Sequence, residues 1–177
     1  VYYLESREDL DVWHRANLKA EYSVEHGLTS YADYMALEEE LFRELDAEVH
    51  ARVAPAADNL INRYVRGSLS SPDRWERNWN RSYELGRDEP VAGVLMLHGM
   101  SDSPYSLRQL GQRLQSSSAW VVGLRLPGHG TAPSGLVDVT WQDMAAAVDL
   151  AMRHLSQQTG DAPLYIVGYS NGAALAV

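Results

Sequence analysis

The chain has 177 residues, 45% of them hydrophobic and 22% charged, enough for one sizeable core or one core plus an appendage. Its formal charge of −9 argues against a nucleic-acid partner and against docking to an anionic membrane surface, since both need clustered Lys and Arg. With no cysteine, disulfides, thiolate catalysis and cysteine-ligated zinc are excluded.

No stretch approaches the roughly 18 apolar residues that would span a bilayer. The first residue is Val1 rather than Met, so we expect that the natural start, with any signal or anchor, has been removed. Localisation is therefore open: cytoplasmic, exported and membrane-tethered proteins all fit.

Residues 1 to about 89 are polar, charged and aromatic-rich. Ser30 reads as an N-cap, and Tyr34, Leu37, Leu41, Leu45 and Val49 after it recur on one face of a helix. Glu38, Glu39, Glu40 and Glu44 are expected largely outside that stripe, and Pro55 is expected to mark the end. The amphipathic helix thus reads as a segment packed on a larger body. Trp75, Trp79 and Tyr83 fit either a helical aromatic stripe or a loop covering a core. Asn80-Arg81-Ser82 is formally a glycosylation sequon, meaningful only in a secreted eukaryotic protein.

From residue 90 strands and helices alternate. VAGVLMLH (91–98), AWVVGLRL (119–126) and PLYIVG (163–168) read as strands buried on both faces. Between the first two, Ser103-Pro104 predicts a helix start, with Leu107, Leu110 and Leu114 on its apolar face. Between the second and third, Thr140-Trp141-Gln142-Asp143 resembles a capping box, and Met144, Ala147, Val148, Ala151 and Leu155 keep helical spacing. Strand, helix, strand, helix, strand predicts an α/β protein with a mostly parallel, doubly wound sheet.

The third strand runs into Gly168-Tyr169-Ser170-Asn171-Gly172. A strand that reverses into a helix within a few residues forces unusual dihedrals at the apex and leaves little room at its flanks, hence glycine on both sides. Ser170, at the apex, is the candidate nucleophile of a nucleophile elbow. Acyl transfer needs at least two N–H donors on the tetrahedral oxyanion; the amides of Asn171 and of Met100 are the candidates. Met100 follows His98-Gly99 at the end of the 91–98 strand, where Gly99 permits close approach. His98 is read as a histidine that fixes this loop. Gly128-His129-Gly130 is likewise read as a structural loop, because no second ligand stands at metal spacing. No metal or organic cofactor is expected.

HGMSDSPYSLRQL, LRLPGHGTAPSG, TWQDM and IVGYSNG, in that order and spacing, resemble the first half of an α/β-hydrolase. Within that superfamily they are similar to the bacterial carboxylesterase, monoacylglycerol-lipase and serine-aminopeptidase-like branch. The resemblance covers about residues 82–177 and implies two parts, a mainly helical N-terminal extension (1–80) and the N-terminal half of the hydrolase core (81–177). It also implies a serine hydrolase acting on small-molecule esters. Asn171 stands where the branch often has methionine, and Ala173 where glycine often follows. Both changes bear on substrate preference and remove no backbone donor.

The triad order of this fold is serine, acid, histidine, yet all six histidines and every carboxylate precede Ser170. We therefore expect the acid and histidine on a complementary C-terminal segment of the same protein, and this chain alone to be inactive. Two alternatives remain at this point. One is a non-catalytic binding module on the same fold; the other is peptidase, thioesterase or acyltransferase chemistry at the same half-site.

Overall fold

In the computed structural model, residues 10–53 and 60–177 are described. Helix α1 (Tyr31–Leu45) starts where expected: the Ser30 hydroxyl accepts from the Asp33 N–H at 3.1 Å. Its regular geometry ends at Leu45 and widens into a π turn over Asp46–His50. Pro55 lies outside the described residues.

Among the described residues, four strands form one sheet in the order β1-β3-β2-β4. They are β1 (Tyr83–Leu85), β2 (Ala92–Leu97), β3 (Ala119–Leu124) and β4 (Leu164–Gly168). β2 runs parallel to both β3 and β4, so Val94 stands between Val121 and Tyr165. β1 is antiparallel to β3, with Tyr83 opposite Gly123. A strand this short carries no readable alternation, and it adds one antiparallel edge to the predicted parallel order.

Period-two alternation sorts the side chains of β2 and β3 onto two faces. Leu95, Leu97, Val122 and Leu124 point to one side, where helix α3 (Trp141–Thr159) covers them with Met144, Ala147, Val148, Ala151 and Leu155. Each of these wholly buried strand side chains contributes about 1.5–3 kcal/mol by leaving water. Val94, Met96 and Val121 face the other side, against Leu107 and Leu114 around helix α2 (Arg108–Ser116). The α3 start is the predicted reciprocal box, with Thr140 and Asp143 each accepting from the other's N–H.

The N-terminal segment belongs to the same packing. Tyr22, Tyr31 and Tyr34 lie in one cluster with Leu95, Leu97, Leu124 and the α3 side chains. Farther along α1 and in the π turn after it, Leu41, Phe42, Leu45 and Val49 form a second cluster with Leu18, Tyr64 and Ala132.

Three expectations need correction. Glu38, placed outside the apolar stripe, is 2% exposed because the equally buried Arg125 guanidinium and the Ser82 hydroxyl take its carboxylate. Leu110, placed on the apolar face of its helix, is 43% exposed. β4 is not buried like the other two strands: it is the sheet edge, and its Tyr165 is 55% exposed. Of the two readings open for Trp75, Trp79 and Tyr83, the helical stripe is not formed: Trp75 and Trp79 sit in irregular chain and Tyr83 opens β1, its ring edge-on to Trp79.

Candidate active site

The chain goes from β2 to β3 through α2 on one face, then returns over β2 to β4 through α3 on the other. The loops leaving β2 and β4 therefore diverge to opposite faces at a topological switch point between their carboxyl ends. That topological switch point is where open α/β sheets bind ligands. The two loops there are residues 98–103 and 169–171.

At the end of β4, Ser170 adopts φ +52°, ψ −121°, a conformation that non-glycine residues rarely hold. Its backbone carbonyl accepts from the N–H groups of Ala173 and Ala174, at 3.0 and 3.2 Å, in the single helical turn α4 (Asn171–Ala174). Packing explains both flanking glycines. A Cβ on Gly168 would stand 2.4 Å from the Gly172 carbonyl oxygen, and one on Gly172 would stand 2.3 Å from that of Leu97. The serine side chain is exposed and makes no hydrogen bond among the described residues. The Asn171 side chain is only partly buried, its amide donating to Met144 Sδ.

His98, at the end of β2, is fully buried. The Leu126 N–H donates to its Nε2 at 3.1 Å, which leaves the ring proton on Nδ1, bonded to the Gly99 carbonyl at 2.9 Å. Burial pushes its pKa down to about 4, so the ring is neutral. Asp102 N–H donates to the same carbonyl at 3.3 Å, closing a tight turn in which Ser101 takes φ +56°. Met100, on that turn, is 54% exposed. Among the described residues, the N–H groups of Met100 and Asn171 have no acceptor.

Tyr169 braces the two loops. Its ring lies where a side chain on Gly99 would be, 2.7 Å from a hypothetical Cβ, and its hydroxyl donates to Asp102. Sequence reading missed both residues, because neither type signals a contact 67 positions away.

Gly128 and Gly130, at φ +77° and +73°, shape the loop after β3. Between them His129 is buried, its Nδ1 2.7 Å from the Pro127 carbonyl and its ring 5.1 Å from that of His98. Burial lowers its pKa as well. No cluster of three His, Asp or Glu side chains suited to a metal occurs among the described residues, and no described helix is long and apolar enough to cross a membrane. On the outer side of the 98–103 loop, a cavity of about 310 Å³ is bordered by Asp102, Ser103, Tyr105, Trp75 and Trp79.

A doubly wound sheet with a strained serine turn at its switch point is the architecture of an α/β-hydrolase, here part of the fold. A profile of the family described as serine aminopeptidase, S33, matches residues 88–177, and the chain belongs to that family. A thermostable monoacylglycerol lipase from Bacillus sp. (strain H-257) is 31% identical over 83 residues, which is 47% of this chain and 32% of that protein. Among solved structures, one reported with LipS and LipT, two metagenome-derived lipolytic enzymes, matches with TM-score 0.50 at 32% identity. That match covers 55% of this chain and 38% of the other. The chain thus spans about a third of the length of these relatives.

Proposed function

We propose that this chain carries the nucleophile half of a serine hydrolase that cleaves carboxylic esters through an acyl-enzyme. The observation that carries this reading is the φ +52° turn at Ser170, exposed at the switch point between β2 and β4. Similarity to a monoacylglycerol lipase and to lipolytic enzymes supports an ester as the substrate class.

In this mechanism Ser170 Oγ attacks the ester carbonyl while its proton passes to a histidine. The carbonyl oxygen becomes an oxyanion held by the N–H groups of Met100 and Asn171. Collapse expels the alcohol, which takes the proton back from the imidazolium; water then repeats the sequence and frees the acid.

The His98 geometry supports the role of Met100. The Gly99 carbonyl and the Met100 N–H belong to one trans peptide, so they point in opposite directions. By holding the carbonyl inward, His98 Nδ1–H turns the Met100 N–H away from the interior. The triad histidine and acid are assigned to a segment beyond this chain, since among the described residues nothing hydrogen-bonds the Ser170 hydroxyl, and His98 and His129 are buried in loop contacts.

The test is hydrolysis of p-nitrophenyl butyrate by the natural full-length protein. Turnover that falls about a thousandfold or more in Ser170→Ala supports the reading. Undiminished turnover in that variant rejects it. The family description favours a second reading, amide hydrolysis at the same half-site. An aminoacyl p-nitroanilide assayed beside the ester separates the two.

A further inference from the structure

Arg125, directly after β3, is 1% exposed, and the N-terminal segment satisfies most of its polar groups. Glu38 Oε2 accepts from Nε at 3.0 Å. Glu21 accepts from Nη1 and Nη2 at 3.3 and 3.1 Å. The Tyr34 hydroxyl donates to the Arg125 carbonyl at 2.7 Å, and Glu38 also receives the Ser82 N–H and hydroxyl, both at 2.8 Å. Two carboxylates from positions 87 and 104 residues away thus neutralise one buried cation.

The guanidinium has two further partners outside that segment, the carbonyls of Leu126, at 3.4 Å from Nη1, and of His129. Nη1 donates to the His129 carbonyl at 3.0 Å, inside the glycine-flanked loop whose ring packs on His98. His98 in turn bridges the Leu126 N–H to the Gly99 carbonyl. A continuous path of hydrogen bonds and one ring contact therefore runs from Glu21 and Glu38 to the peptide plane that carries the Met100 N–H.

We propose that the N-terminal segment is a positioning element for the oxyanion loop, acting through Glu21, Glu38 and Arg125. The proposal rests on the hydrolase reading of the Ser170 site. A buried cation that loses one of its anions rearranges to find water or another acceptor. Here that movement would release the His129 carbonyl, loosen the His98 backing and let the Gly99–Met100 peptide rotate. Misaiming one oxyanion donor costs transition-state stabilisation while leaving ground-state binding in place.

The experiment uses the natural full-length protein with Glu38→Gln, Glu21→Gln and Arg125→Lys, the last keeping the charge but losing the planar fork. Hydrolysis of p-nitrophenyl butyrate is measured on folded protein, well below each unfolding midpoint. The proposal predicts kcat lowered about tenfold or more with KM within about twofold. Amide hydrogen exchange supplies a readout independent of turnover: faster exchange is expected at 99–102 with α2 amides unchanged. A lower unfolding midpoint with unaltered kcat and uniform exchange would overturn the proposal. Wild-type protein inactive on esters would instead strike the ester reading, and the exchange pattern would still decide whether Glu21, Glu38 and Arg125 position the loop. Should the charge variants fail to fold, Tyr34→Phe, which removes only the hydroxyl on the Arg125 carbonyl, is judged by the same criteria.

Discussion

Gly172 rests on the backbone of Leu97, so close that a Cβ at 172 would lie 2.3 Å from the Leu97 carbonyl oxygen and 2.6 Å from that of His98. The serine turn is thereby seated on the strand that carries the candidate oxyanion loop. The Leu97 oxygen cannot yield without breaking β2. Gly172→Ala should therefore lower stability by about 1–3 kcal/mol or more and displace the turn. Urea midpoints and ester turnover of the variant check this; wild-type values for both would contradict it.

Burial of His98 couples stability to pH. The unfolded ring titrates near its ordinary 6.5, the folded one near 4. Between those values the unfolded chain takes up a proton that the folded one refuses. The His98 contribution is therefore complete above about pH 6.5 and fades as pH falls toward 4, by roughly 3 kcal/mol. His129 is shifted the same way and adds to the trend. Unfolding midpoints measured from pH 7 to 4.5 should fall less steeply in His98→Gln than in wild type. Parallel curves would refute the assignment.

Tyr83 covers Gly123 on the neighbouring strand: a Cβ there would meet the ring at 2.3 Å. Gly123→Ala should cost about 1–3 kcal/mol through overpacking, and much less in a Tyr83→Ala background. Additive losses in the double mutant would show that the ring does not lie there.

Residues 1–80 should not fold alone. The buried tyrosines of α1 have their partners on β2, β3 and α3, and Glu38 would lose its counter-charge. A peptide of that span should unfold without a cooperative transition on heating, as followed by circular dichroism. A sharp transition would make the segment an independent domain.

Much of this was legible because the signals are local. The apolar runs of β2 and β3, the Ser30 cap and the Thr140–Asp143 box each lie within a few residues. So does the glycine pair around Ser170, whose steric reason is the Gly168–Gly172 contact. What stayed hidden joins distant positions. Glu38 reads as one acid in a run of three until Arg125 meets it 87 residues later. Tyr83–Leu85 is too short for a period, and the edge position of β4 depends on which strands stand beside it.

The central claim is a nucleophilic Ser170, and covalent capture tests it most directly. The natural full-length protein, folded and incubated with a fluorophosphonate, should carry one adduct, mapped by mass spectrometry to the peptide containing Ser170 and absent from Ser170→Ala. An adduct on another serine, or none on the folded protein, would contradict the account.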